Sequence, residues 1–158
     1  MLGWDGGAMF PDGQRVARMR RVALRALDAY PLVDGELRFV ADEENATFRV
    51  DATAPGGRER FLLRVHRPAR HGQDVDSAAA IGSELVWLTA LRAGTGLLVP
   101  VPFRTVGGKL TTVAASPGVP EPRVCSVLRW MDGRIHAAAP RPVHLRARER
   151  HGAAAQSR

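Results

Sequence analysis

Cysteine is almost missing from this 158-residue chain. Cys125 stands alone, which excludes an intramolecular disulfide and fits a reducing compartment. Lysine is equally scarce, with Lys109 the single lysine among 23 basic residues. No stretch approaches the roughly 20 consecutive apolar residues that a membrane span requires. The first 13 residues have neither a basic start nor a long apolar run, so no signal peptide is expected and the expected compartment is the cytoplasm. Histidines 66, 71, 136, 144 and 151 show no metal-ligand spacing with cysteine or carboxylate, and no metal site is expected. Past Asp132 there is neither aspartate nor asparagine, so carboxylate or amide chemistry of that kind has to come from earlier residues or from elsewhere.

What is present suits one soluble domain: 45% hydrophobic and 25% charged residues, at a length that supports a real core. The net charge of +7 invites a nucleic-acid reading, but its distribution argues against one. From Arg134 onward there are six arginines and one acid, Glu149, or +5; the preceding residues carry 17 bases and 15 acids, or +2. The excess is a property of the tail and not of a basic face. Beyond Ile135 that tail has only Val143 and Leu145 as strong aliphatics. Residues 134–158 are expected to be a frayed basic tail, residues 1–13 a flexible start, and residues 14–133 the folded unit.

Residues 14–30 predict an amphipathic helix, with Val16, Met19, Ala23, Leu27 and Tyr30 on one stripe and Pro31 ending it. Three strands follow, near 37–41, 47–50 and 60–66, joined by short turns that favour an antiparallel meander. A second helix is expected from Asp76 or Ser77 to about Arg92, stopped by Gly94 and Gly96, with Ile81, Leu85 and Leu88 on one stripe. Gly107 and Gly108 predict a hairpin joining 103–106 to 110–114, and residues 124–131 a last strand. Gly107-Gly108-Lys109 lacks the spacing of a phosphate loop, and Gly94-Thr95-Gly96 lacks the third glycine of a dinucleotide fingerprint. Trp87 and Trp130 are expected in the core, and Cys125 as a buried strand residue.

The segment FLLRVHRP at 61–68 holds the most informative oddity. Alternation puts Phe61, Leu63 and Val65 on one face and Leu62, Arg64 and His66 on the other. An arginine in an apolar strand is costly unless a partner or an anion meets its charge. Glu84 interrupts the apolar SELVWLTAL helix three residues after Ile81, at the edge of its buried stripe, and is the candidate partner.

Taken in order, ENATFRV (44–50), FLLRVHRP (61–68), SELVWLTAL (83–91), LLVPVP (97–102) and VLRWMDGR (127–134) resemble the N-terminal lobe of the aminoglycoside phosphotransferase family. That family is part of a protein-kinase-like superfamily that includes choline kinases. The resemblance spans about residues 24–134. It implies an α+β fold: a five-stranded antiparallel sheet with an N-terminal helix and an αC-type helix. It implies ATP as the bound nucleotide, Asn45 in the turn over the phosphates, and Arg64 in place of the lysine that pairs with the α- and β-phosphates. Glu84 would hold that cation, Leu62 would roof the adenine, and Leu128, Trp130 and Met131 would belong to the hinge. The family's catalytic Asp and its metal-binding Asn and Asp lie downstream of the hinge, in a larger lobe. The resemblance therefore implies an ATP-binding lobe without its chemistry, inactive alone and binding Mg-ATP only with a C-terminal lobe. The alternative is a non-enzymatic, pseudokinase-like interaction module, with self-association or the missing lobe as partner; nucleic acid and membrane are not expected partners.

Overall fold

Arginines and apolar residues are interleaved at helical spacing over residues 13–27, and they form α1 (Gly13–Leu27). Met19, Val22, Ala23, Ala26 and Leu27 are buried, and Tyr30 continues the stripe beyond the helix end. Two tight turns, Ala29 N–H to Ala26 C=O and Tyr30 N–H to Leu27 C=O, close the helix before Pro31. The computed structural model describes residues 13–68 and 77–133. The expected flexible start, apart from Gly13, and the expected basic tail lie outside the described residues.

A meander of β1 (Val33–Asp42), β2 (Ala46–Ala54) and β3 (Gly57–Val65) follows. The β2–β3 turn closes with Ala54 opposite Gly57, whose φ of +119° is a conformation that a side chain would strain. After β3 come α2 (Ser77–Thr95), β4 (Pro102–Phe103), β5 (Thr111–Ala114) and β6 (Arg123–Arg129). All strand pairs are antiparallel, and the order is β1-β2-β3-β6 with β4 and β5 both on the far edge of β6.

Six strands thus fill five positions. Phe103 pairs with Val127 and Thr111 with the adjacent Ser126, so residues 104–110 leave and rejoin one edge strand. The expected hairpin between 103–106 and 110–114 is therefore not a strand pair. The glycine turn is still there, closed by Gly108 N–H to Thr105 C=O and Thr105 N–H to Lys109 C=O, with Gly108 at a φ of +78°. Val106 N–H donates to Ala29 C=O and ties this excursion to the end of α1.

The sheet separates two apolar clusters. On the α1 side, Phe48, Val50, Phe61, Leu63, Val65, Cys125 and Val127 are fully buried with the helix stripe, and the Phe61 ring lies 4.8 Å from that of Phe103. Burial pushes the Cys125 thiol up to about 12, which keeps it unreactive. On the other side, Leu128 packs against Leu85 and Leu88 of α2, with Ile81, Val99 and Leu110 around them. The stripe expected from spacing, Ile81, Leu85 and Leu88, is the face that α2 turns to Leu128, although the helix carries apolar residues on its other sides too. In consequence Trp87, expected in the core, is 60% exposed, and Val86 is exposed beside it. No helix among the described residues is long and apolar enough to cross a membrane.

Candidate functional site

The α2 side of the sheet carries the polar residues. Register builds two rows across three strands: Thr47, Arg64 and Ser126 form one, and Arg49, Leu62 and Leu128 the next. Opposed residues in a sheet share a face, so these six side chains line one surface. Packing of Leu85 on Leu128 fixes α2 above it and brings Glu84, one residue earlier, over β3. Arg64 Nη1 donates to Glu84 Oε1 at 2.9 Å. The arginine side chain is 23% exposed and the glutamate 46%, so the pair sits at a rim where water or an anion can reach it. Half-exposed pairs of this kind add only about 0–1 kcal/mol to stability.

Behind Arg64, His66 Nε2 and Ser126 Oγ are 2.9 Å apart and both residues are buried. Burial first and the Arg64 charge second push the imidazole down to about 4 from 6.5, with Glu84 opposing. His66 is neutral at pH 7. The unfolded chain binds the proton more tightly, so this contribution to stability is complete above pH 6.5 and is lost as pH falls toward 4. The full loss is at most about 3 kcal/mol. Denaturant titrations of wild type and His66→Gln between pH 7.5 and 4.5 should therefore show wild type losing stability relative to the variant. A difference that stays constant with pH would contradict this.

Asn45 lies at the Arg64 end of the sheet, in the turn before Ala46, which pairs with Val65. Its Oδ1 accepts a long bond, 3.4 Å, from Arg67 N–H. The same end is tied to α1 through Asp42, whose buried carboxylate meets Arg15 at 2.5 and 3.0 Å and Arg67 at 3.9 Å. At the opposite end β6 runs out. Arg129 N–H donates to Val101 C=O and Trp130 N–H to Arg60 C=O, while Arg60 grips Asp132 with two bonds of 2.9 and 2.8 Å. Leu128 is inside the ladder and fully buried and Trp130 still bonds back to β3, so Met131, 41% exposed, is the first residue past these backbone bonds. The half-buried Trp130 ring has the Arg49 guanidinium 5.7 Å from its centroid.

Two clefts among the described residues, about 420 and 280 Å³, are lined from the α1 side. One is lined by Leu24, Tyr30 and Gly35, the other by Arg15, Arg18 and Arg123. Neither includes Arg64 or Glu84; the ion pair they form is what singles out the α2 side.

No protein-family model matches the sequence, and no curated protein matches it. Among solved structures, a microcompartment-associated aminopropanol kinase is similar at 30% identity and a TM-score of 0.55, over 71% of this chain and 31% of that one. The chain has the fold of an aminoglycoside phosphotransferase-like kinase N-terminal lobe. An amicoumacin kinase solved with AMP-PNP, Ca2+ and Ami is similar at 22% identity and a TM-score of 0.47, over 78% of this chain and 32% of that one. The chain thus spans about a third of the length of each of these two kinases.

Within the lobe, Arg64 and Glu84 meet directly and Leu62 lies two residues along the same strand face. Asn45 is at one end of that face, and Trp130 and Met131 are at the other. Three further residues of this face are not singled out by the sequence. Ser126 was unremarkable until its register with Arg64 was known. His66 was assigned to the right face but not to a partner. Arg49 was legible in principle, since Phe48 and Val50 point inward and so place it outward with Thr47 and Asp51.

Proposed function

We propose that this kinase-like lobe binds ATP on the α2 side of its sheet and serves a phosphotransferase that acts on an alcohol group. The observation that carries the reading is the 2.9 Å Arg64–Glu84 pair at the rim of that face. Phosphoryl transfer requires cations aimed at the phosphates, and a helix glutamate that holds a strand cation in place meets that need. Arg64 pairs with the α- and β-phosphates, Glu84 orients it, and the Asn45 turn lies against the phosphate end. Leu62 covers the adenine, and Trp130 and Met131 form the hinge side, with Met131 offering backbone groups beyond the sheet; Leu128, expected in the hinge, is buried in the ladder and supports it from beneath α2. An arginine here is planar and forked where a lysine is a point charge, so it suits two phosphate oxygens at once.

The same reading limits the chain. Metal-ion chemistry on ATP needs carboxylate and amide ligands, and residues 133–158 contain no aspartate or asparagine. The purified 158-residue chain should therefore bind ATP and transfer no phosphate to aminoalcohol or aminoglycoside acceptors in the presence of Mg2+. Phosphate transfer by this chain would overturn the second half of that statement, and absence of ATP binding the first.

A second reading, a non-enzymatic interaction module, is favoured by one observation. Val86, Trp87, Leu97 and Leu98 are 54–79% exposed on and just after α2, an apolar surface that polar solvent disfavours. In a complete kinase the rest of the chain is a candidate cover. Light scattering on the same preparation separates the readings: a monomer that binds ATP supports the nucleotide lobe, and an ATP-indifferent oligomer supports the module.

A further inference from the structure

Arg49 stands on the proposed nucleotide face where an apolar residue would be the simple choice. It is directly opposite Leu62 in register, so its side chain leaves the sheet beside the residue proposed to cover the base. From β2 the guanidinium reaches across β3 to lie 5.7 Å from the centroid of the Trp130 ring, at the end of β6. Its Nη2 donates to Asp51 Oδ1 at 2.6 Å, and Asp51 is two residues along the same strand face. Asp132 adds a second negative field from the hinge side, and Arg38 approaches Asp51 at 4.0 Å from β1. The planar cation is therefore held from two sides, by a carboxylate and by an indole, across the strip between Leu62 and Trp130.

Position separates its task from that of Arg64. Arg64 pairs with Thr47 and Arg49 with Leu62, so the two arginines leave the face at successive rows, roughly 7 Å apart along the strands. Arg64 faces Glu84 at the Asn45 end; Arg49 faces Asp51 and Trp130 at the hinge end. A guanidinium already balanced by Asp51 and lying over an aromatic ring suits an aromatic ligand better than a phosphate.

Resting on the nucleotide reading above, we infer that Arg49 is a base-recognition residue: its guanidinium plane stacks on the purine of the bound nucleotide, beside Leu62. Stacking of this kind reads the area of the ring and not its edge, so adenine and guanine nucleotides are accepted alike and pyrimidine nucleotides are disfavoured.

The test is calorimetric titration of the full chain and of Arg49→Met and Arg49→Lys with ATP, GTP, adenosine and inorganic tripolyphosphate. Arg49→Met should weaken ATP, GTP and adenosine by about threefold to thirtyfold, the range expected for lost cation–ring contact, and leave tripolyphosphate unchanged. Arg49→Lys retains a charge for Asp51 but not the plane, and should reproduce most of the loss while keeping the melting temperature of wild type. Equal losses for ATP and tripolyphosphate, or no loss in either variant, would overturn the assignment while leaving the Arg64 site standing. Failure of wild type to bind ATP at all would overturn both.

Discussion

Replacing Phe61 by alanine should lower the unfolding free energy by about 3–5 kcal/mol, the largest stability change expected from one side chain here. Phe61 is fully buried at the junction of the sheet with α1 and leans on Phe103, whose short strand is the far edge of the same layer. Removing the ring opens a cavity that neither the strand ladder nor α1 can collapse into without breaking other contacts. A small domain has only about 5–15 kcal/mol in total, so the variant should denature at a much lower denaturant concentration with little change in slope. A loss below about 1 kcal/mol would mean that the α1 layer does not pack on the sheet as described.

The second large effect is on binding. Arg64→Met should weaken ATP at least tenfold, or about 1.4 kcal/mol, by removing the cation aimed at the phosphates. The fold should tolerate the change, because the pair is half exposed and contributes little to stability. Glu84→Gln should cost less: the arginine keeps its charge and loses only the group that orients it. Equilibrium dialysis with labelled ATP distinguishes these cases. Equal affinity in wild type and Arg64→Met would remove Arg64 from the site.

The elements with an unambiguous period were readable from the sequence. The stripe Met19, Ala23, Leu27 and Tyr30 placed α1 on the core, and the alternation of Phe61, Leu63 and Val65 against Leu62, Arg64 and His66 assigned both faces of β3. Glu84 was legible as Arg64's partner because a lone carboxylate in an apolar helix has few alternatives, and they meet. What failed depends on tertiary contacts. Gly107 and Gly108 make a tight turn, but whether the flanking segments pair with each other or lie end to end along β6 is decided by β6. Trp87 is exposed because it lies off the Ile81, Leu85 and Leu88 stripe that meets Leu128, and a large apolar side chain carries no mark of facing outward. Arg49 and Ser126 acquire meaning from strand register, which couples residues far apart in the chain.

In the proposed function ATP lies across the α2 side of the sheet, between the Asn45 turn and the hinge. Amide hydrogen exchange with and without saturating ATP locates the ligand most directly. Strand amides are already protected by the ladder, so the informative peptides are the turn at 43–45 and the hinge at 131–133, where exposed backbone meets the site. Both should exchange more slowly with ATP, while α1 (Gly13–Leu27) and the loop at 116–120 stay unchanged. Unchanged exchange at 43–45 and 131–133, or protection confined to α1 and 116–120, would contradict that placement.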